Sequence, residues 1–235
     1  MSWVEREPVL AAQPVRLLGA ATGTWLLVLA GLALTLSPSV TSAAADLDET
    51  IRASMVAWEQ AWLVRVAEVL AVAGGVWVTA PLRVLVGVWL FARRWWWRFG
   101  AWLGSIALSE VVVTALKDGY GRGRPPATLE ATRSDAFPSG HTAATAVTVA
   151  TLLLLFLPPG TTRRRWSLAA TLFVTAMALS RVYLRVHWLS DVVMGAAIGV
   201  AAALTAVGLA AAGQRWREAG GQRWRQAGGD RDTPS

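Results

Sequence analysis

Residues 17–36 read LLGAATGTWLLVLAGLALTL, twenty consecutive positions without a charged side chain. The hydrocarbon core of a bilayer is about 30 Å thick, and an α-helix needs about 20 apolar residues to cross it. Because backbone N–H and C=O groups find no hydrogen-bond partners in lipid, a spanning segment must satisfy them internally as a helix. The stretch therefore predicts a transmembrane helix.

Five further segments have the composition of membrane-spanning helices. They are residues 66–92, 99–116, 142–157, 168–184 and 189–212. The first of these contains Gly74, Gly75 and Pro81, which predict one long span with a kink or tilt. The prediction is an all-α, integral membrane bundle of six helices.

The spans divide the chain into four parts. Residues 1–16 form a predicted cytoplasmic N-terminus, and residues 17–61 the first span with a polar outer loop. Residues 62–212 form the predicted catalytic membrane domain, and residues 213–235 a basic cytoplasmic tail. This tail contains a tandem repeat of eight residues and is predicted to be disordered, solvated or lying at the membrane interface.

The composition agrees with lipid as the solvent for most of the chain. Hydrophobic residues occupy 54% of the 235 positions and charged residues 16%, against about 25% charged residues in soluble domains. The net charge is +7, but the arginines cluster between apolar segments and form no single basic face, so nucleic-acid binding is not expected. The absence of cysteine excludes disulfides and cysteine-ligated metals.

The basic clusters predict the orientation of the spans. Arginines at 93–98, at 163–165 and in the tail all lie on one side of the membrane. The positive-inside rule makes that side cytoplasmic, with both termini inside. Three loops are then extracytoplasmic: residues 37–60, 117–140 and 185–188. An alternative is that the first span is a long signal peptide cleaved after an Ala-rich site; Glu5, Glu7 and the long apolar run argue against it.

Three polar motifs lie in the outer loops that contain the only lysine and both histidines. They read KDGYGRGRP at 117–125, FPSGHT at 137–142 and SRVYLRVHWLSD at 180–191. Lys117, Arg124 and Arg181 supply one point charge and two planar guanidinium groups, a set suited to a tetrahedral oxyanion. Ser139 and Gly140 open the fourth span, where the free N–H groups of a helix N-terminus bind anions.

The histidines and Asp191 supply groups for nucleophilic and acid–base catalysis. His187 and Asp191 are four residues apart on a predicted helix, so they share one face and the carboxylate can hold the imidazole in one tautomer. The other ring nitrogen can then attack phosphorus. His141, beside the predicted phosphate site, can protonate the leaving oxygen.

Each of these residues alone also has a structural interpretation. A membrane histidine such as His141 is often a polar partner between helices, Arg124 an interface anchor, and Ser139 a helix cap. Their joint occurrence on one side of the membrane favours catalysis, since phosphoryl transfer needs positioning and charge of this kind. Glu110, within a span, is expected to form a structural pair with a neighbouring helix.

The motifs resemble those of the type 2 phosphatidic acid phosphatase (PAP2) superfamily, which also includes the vanadium haloperoxidases. The resemblance rests on Lys-x6-Arg-Pro, Pro-Ser-Gly-His and Ser-Arg-x5-His-x3-Asp, and it covers about residues 66–200. It implies that the phosphoryl group is held by Lys117, Arg124, Ser139, Gly140 and Arg181. It also implies a phosphohistidine at His187, assisted by Asp191, with His141 as the acid and later as the base for water.

The resemblance further implies a lipid phosphate substrate and no metal or other cofactor. Family substrates include phosphatidate, phosphatidylglycerophosphate and polyprenyl diphosphates such as undecaprenyl diphosphate, and the polyprenyl diphosphate is the first expectation here. A haloperoxidase is disfavoured because those relatives are soluble and much larger. A lipid transporter or binding protein would not need the three catalytic residues, whereas a lipid phosphotransferase would use the same site with another acceptor and stays open.

Two positions depart from the family pattern. Gly123 stands where proline is common, which is expected to loosen the turn between the two arginines. Arg185 stands where glycine is common. The hypothesis here is that this additional cation helps to bind a diphosphate.

Overall fold

The described part of the chain is helical. The computed structural model describes residues 10, 13–35, 37–131 and 134–229, with side chains through residue 220. Eight helices lie within these ranges: α1 (Pro14–Leu34), α2 (Pro38–Ala57), α3 (Ala61–Gly74), α4 (Val76–Ala92), α5 (Trp96–Tyr120), α6 (Gly140–Phe156), α7 (Thr161–Tyr183) and α8 (Leu189–Gly229).

Six stretches of helix correspond to the six predicted spans. Among the described residues, five stretches are long and apolar enough to cross a membrane: α1, α3 with α4, α5, α7 and the part of α8 up to Gly220. The sixth, α6, is apolar but shorter, with 17 residues. The predicted all-α membrane bundle is therefore confirmed.

Gly75 interrupts the long second span. It separates α3 from α4 with an extended backbone at φ −75° and ψ 168°. A Cβ atom at this position would lie 2.9 Å from the carbonyl oxygen of Ala71 and 3.4 Å from Nε2 of His141. Glycine therefore lets the break in the span approach His141 closely, whereas Pro81 is accommodated inside α4.

Helix α8 is packed against α1, α5, α6 and α7. Gly195 and Gly199 form a Gly-x-x-x-Gly face, which permits close approach of two helix backbones. A Cβ at Gly195 would lie 2.5 Å from the carbonyl oxygen of Ser139, and one at Gly199 would lie 2.5 Å from that of Ala143. This contact holds the first turn of α6 against the first turns of α8, so that two of the polar motifs meet.

Two charged side chains inside the spans, Arg83 and Glu110, form an ion pair. Nη1 of Arg83 on α4 lies 2.9 Å from Oε1 of Glu110 on α5. The same guanidinium donates hydrogen bonds to Oγ1 of Thr148 and to the carbonyl oxygen of Ala144 on α6. The structural pairing expected for Glu110 is confirmed, and the pair satisfies charges that would be costly in lipid.

The outer segment 37–60 differs from its prediction as a loop, because most of it forms α2. Pro38 occupies the first turn, where its fixed φ favours a helix start, and several alanines follow. The prediction was wrong because it rested on polarity, while alanine favours a helix even in a polar segment. Asp48 is the buried residue of α2.

The C-terminal segment also differs from its prediction. Helix α8 continues through Gly229, so the described part of the predicted disordered tail is helical. Alanine, glutamine, glutamate and arginine are good helix formers. Extending an existing helix also avoids the cost of nucleating a new one.

Candidate active site

The three sequence motifs converge at one end of the bundle. Lys117 lies in the last turn of α5, Ser139 and His141 lie at the start of α6, Arg181 lies near the end of α7, and Asp191 lies in the first turn of α8. The side chains are close enough to interact electrostatically. His141 lies near Arg181, His187 and Arg124, and Lys117 lies near Arg124 and Asp191. The fold thus brings the predicted catalytic and phosphate-binding residues into one cluster.

His187 faces Asp191 inside the protein. Nδ1 of His187 lies 3.5 Å from Oδ2 of Asp191, and the two residues are 3% and 0% exposed. This distance is longer than that of a usual hydrogen bond, and Nδ1 has no hydrogen-bond partner in the described structure. Catalytic hydrogen bonds are often long before substrate binds and tighten afterwards. The contact places Nδ1 on the side of Asp191, so Nε2 is the ring nitrogen that does not face this carboxylate.

Burial controls the protonation of His187. Removal from water lowers the pKa of its imidazole, and the positive charges of Arg124 and Arg181 act in the same direction. The carboxylate of Asp191 opposes this shift without reversing it. His187 is therefore neutral at neutral pH, which is the form that a nucleophile requires.

Asp191 is held rigidly from two sides. Its Oδ2 accepts a hydrogen bond of 2.8 Å from the backbone N–H of Trp188, which fixes the first turn of α8. Its Oδ1 accepts a hydrogen bond of 2.7 Å from Nη1 of Arg122. The backbone oxygen of Asp191 accepts from the N–H of Ser139 at 3.0 Å. These contacts set the carboxylate beside His187 and join it to the start of α6.

The segment between α5 and α6 is organised by the predicted phosphate-binding cations. Arg124 donates to the backbone oxygens of Ser134 and Val186, and Lys117 donates to that of Asp135. These bonds hold the segment over the site. The backbone around Gly140 stays accessible, because a Cβ there would meet nothing within 4 Å.

The guanidinium of Arg181 is buried, which is unusual for a charged side chain. It is 1% exposed, and its Nη1 lies 2.8 Å from Oε2 of Glu130, a residue of the segment between α5 and α6. Its Nε has no hydrogen-bond partner among the described groups. Burial raises the pKa of Glu130, but the hydrogen bond from Arg181 and the nearby positive charges, chiefly that of Arg181, together hold this pKa below its ordinary value. Glu130 is therefore ionised and binds Arg181 in the way that a phosphoryl oxygen would.

Replacing Glu130 with glutamine is expected to strengthen inhibition by inorganic phosphate. A phosphoryl group that binds Arg181 must compete with the carboxylate of Glu130. A partly exposed ion pair contributes about 1 kcal/mol. Without this pair, the inhibition constant of inorganic phosphate should fall about three- to tenfold. Glu59→Gln is the matched control, since it removes a carboxylate that pairs with Arg185 instead. Equal or weaker inhibition of Glu130→Gln, compared with wild type, would contradict the competition.

Three residues of this site were not among the predicted site residues. Arg122 lies in the first motif, but the motif pattern assigns its charge no role. Asp48, which pairs with Arg122, and Glu130 lie in segments that carry no motif. No signal in the sequence pointed to either residue, because Glu130 pairs with Arg181 of α7 and not with the arginines of its own loop.

Arg185 does not join the predicted phosphate cluster. Its Nη2 lies 2.9 Å from Oε2 of Glu59, in the turn between α2 and α3. Its φ of 56° lies in the left-handed region, where glycine is favoured. The ion pair gives the buried side chain of Arg185 a structural partner, and the hypothesis that it binds a diphosphate finds no support.

A cavity of about 360 Å³ adjoins the site. His141, Glu130 and Glu68 line it, together with residues around the Gly75 break. Of these, Val72, Val76 and Trp77 are 60%, 64% and 86% exposed on the lipid-facing surface. The cavity therefore connects a polar, histidine-containing site to a surface suited to lipid chains.

The fold and the site define a multi-pass membrane protein with a histidine-based site at one end of its bundle. Residues 98–214 match the family model of the PAP2 superfamily. The chain is 30% identical over 165 residues to phosphatidylglycerophosphatase B of Bacillus subtilis, covering 68% of this chain and 81% of that protein. The chain belongs to the PAP2 superfamily.

Other comparisons agree with this family. The chain is 38% identical over 96 residues to lipid A 1-phosphatase of Porphyromonas gingivalis, which is 41% of this chain and 20% of that protein. The crystal structure of the Bacillus subtilis PAP2 type phosphatidylglycerolphosphate phosphatase superposes with a TM-score of 0.67 and 25% identity, covering 80% of this chain and 94% of that one. The structure of Aquifex aeolicus LpxE gives a TM-score of 0.53 at 25% identity, covering 69% and 93%.

Proposed function

We propose that this PAP2-type phosphatase hydrolyses the phosphate of a membrane lipid through a phosphohistidine at His187. The observation that carries the proposal is the pairing of His187 and Asp191 beside Arg124 and Arg181. A nucleophile, a carboxylate that orients it and two cations for the phosphoryl oxygens thus share one buried site. Phosphoryl transfer depends on this combination of positioning and charge.

In the first step, Nε2 of His187 attacks phosphorus while Arg124, Arg181 and Lys117 bind the phosphoryl oxygens. A P–N bond forms as the ester or anhydride P–O bond breaks, and His141, which the bound phosphate anion keeps protonated, donates its proton to the leaving oxygen. Asp191 stabilises the positive charge that develops on the imidazole. The products of this step are the dephosphorylated lipid and the phosphorylated enzyme.

In the second step, water attacks the phosphohistidine. His141, now deprotonated, takes a proton from the water as the new P–O bond forms and the P–N bond breaks. Inorganic phosphate leaves, and both histidines return to their starting forms. None of these steps requires a metal ion.

A lipid substrate is supported by the route into the site. The cavity beside the site is lined both by His141 and by the exposed residues Val72, Val76 and Trp77 near Gly75. A polar headgroup can reach the histidines from the bilayer surface while its apolar chains remain in lipid. The named activity of the Bacillus subtilis relative favours phosphatidylglycerophosphate as the substrate. Polyprenyl diphosphate and phosphatidate are the other candidate substrates.

Purified protein in detergent with a chelator should release phosphate from at least one of three lipids tested side by side. These are phosphatidylglycerophosphate, a polyprenyl diphosphate and phosphatidate. The ratio of kcat/KM values identifies the preferred substrate. No release from any of them, or release that depends on an added metal, would overturn the proposed function.

We further propose that the site faces the extracytoplasmic side. The end of the bundle opposite the site carries the basic clusters around Arg93 and Arg164, and their position supports that end as cytoplasmic. Because the chain has no cysteine, Gly119→Cys and Arg164→Cys each introduce a single thiol, and both positions are exposed. A membrane-impermeant maleimide should label intact cells only at position 119. Labelling only at position 164 would show the opposite orientation, with the site facing the cytoplasm.

A further inference from the structure

Asp48 is a buried carboxylate that no motif contains. It lies on α2, outside the residues that match the family model, and is 3% exposed. Its Oδ1 accepts a hydrogen bond of 2.9 Å from the backbone N–H of Ser190. Its Oδ2 accepts bonds of 2.6 Å from Oγ of Ser190 and 2.8 Å from Nη2 of Arg122. Burial of a carboxylate is costly, so this full set of partners indicates a specific role.

The partners of Asp48 lead directly to the catalytic pair. Arg122 uses Nη2 for Asp48 and Nη1 for Asp191, at 2.8 Å and 2.7 Å. Nη1 also donates to Oγ of Ser190 at 2.6 Å. A planar guanidinium held by two carboxylates has a fixed orientation. Asp48 thereby determines where Arg122 lies, and Arg122 determines where the carboxylate of Asp191 meets His187.

We infer that Asp48 is a positioning residue, which holds Asp191 beside His187 through Arg122 and Ser190. The inference rests on the proposed function of His187 as the nucleophile. It gives α2 a role in catalysis, although this helix precedes the predicted catalytic domain. Asp48 touches neither His187 nor the phosphate-binding arginines in the structure; it acts only through the residues that it orients.

The charges of this network determine how a change at Asp48 reaches His187. His187 is surrounded by Asp191 on α8, Arg181 on α7, Arg124 in the segment before α6 and His141 on α6. Without the negative charge of Asp48, the charge of Arg122 is balanced by Asp191 alone. Asp191 then stabilises a protonated His187 less, so neutral His187 should persist to lower pH.

The decisive experiment combines Asp48→Asn with Asp191→Asn in a double-mutant cycle. Asp48→Asn should lower kcat about 10- to 100-fold, as expected for a small displacement of a catalytic group, with KM changed less than about twofold. The acid limb of the kcat/KM profile should move to lower pH. In the Asp191→Asn background, Asp48→Asn should cost nothing further, because the residue through which it acts is already lost.

Asp46→Asn is the matched control, since Asp46 is exposed on the same helix and should leave turnover unchanged. If Asp48→Asn does not accumulate in the membrane, Ser190→Ala takes its place in the double-mutant cycle, because it removes the hydroxyl between Asp48 and Arg122. It removes no charge, so the pH profile is tested with Asp48→Asn alone. Equal losses in both backgrounds, an unshifted pH profile or no loss would overturn the inference. Absence of turnover in the wild-type protein would instead overturn the proposed function, so the two failures are distinguishable.

Discussion

Replacing His187 with alanine is expected to reduce phosphate release from a lipid phosphate by at least about 10,000-fold in kcat. The reason is that the P–N bond of the intermediate can no longer form. Among the described residues, His141 is the other histidine of the cluster, and it lies on α6 without the facing carboxylate that His187 has. Arg124 and Arg181 remain in the variant, so substrate should still bind. The measurement is the turnover of purified enzyme, with lipid binding determined separately.

The intermediate itself can be trapped. Wild-type enzyme quenched during turnover of a lipid labelled in its phosphate should carry label that is stable to base and lost in acid, as a phosphoramidate is. His187→Ala should carry none. Asp118→Asn is a suitable control, because Asp118 is exposed at the same end of the bundle and its replacement leaves the imidazole in place. A lipid carrier would keep its activity in His187→Ala, and that result would exclude a phosphatase that uses this nucleophile.

The part of the site that could be predicted from sequence is the part encoded over short distances. His187 and Asp191 face each other because they are four residues apart at the start of α8, and Ser139 lies at the start of α6 as its position before an apolar run indicated. Successive spans cross the membrane in opposite directions, so the order of the spans along the chain is enough to place the separate motifs on one side of the membrane. Helix geometry and bilayer thickness therefore supply most of the information needed to assemble this cluster.

The contributions of Asp48 and Glu130 depend on packing between distant segments. Asp48 bonds to Ser190, which is 142 positions away, and Glu130 bonds to Arg181, which is 51 positions away. No periodicity or spacing rule relates such pairs in a single sequence. The polarity of segment 37–60 also suggested a solvated loop, whereas one face of α2 is directed at the site through Asp48.

Arg185 shows a different kind of limit. Its charge and its place within a motif suggested contact with phosphate. The backbone at this position turns with a positive φ, and the guanidinium pairs with Glu59 at the surface. The direction of a long side chain is set by the local backbone and by the nearest opposite charge, and neither can be read from residue type.

Asp191→Asn is expected to lower kcat by about 100- to 10,000-fold, the range seen when a carboxylate that orients a catalytic histidine is replaced by its amide. Asparagine keeps the shape of the side chain, but its NH2 group must face either Nδ1 of His187 or the guanidinium of Arg122. Facing His187, it donates to Nδ1 and favours the tautomer whose proton is on Nε2, which cannot attack phosphorus. If the NH2 group faces Arg122 instead, two hydrogen-bond donors, the amide and the guanidinium, lie against each other.

The pH profile distinguishes this loss of orientation from general damage. Burial lowers the pKa of His187, and the carboxylate of Asp191 opposes that shift; without the carboxylate, the pKa falls further. The neutral imidazole is the reactive form and accumulates as pH rises through this pKa, so the acid limb of kcat/KM must move to lower pH while its plateau drops. Asp118 is an exposed residue at the same end of the bundle and provides the control variant Asp118→Asn. This variant should keep the acid limb and the plateau of the wild-type kcat/KM profile. A limb that moves to higher pH would show that Asp191 does not stabilise the protonated form of His187, and the assignment of the pair would then be wrong.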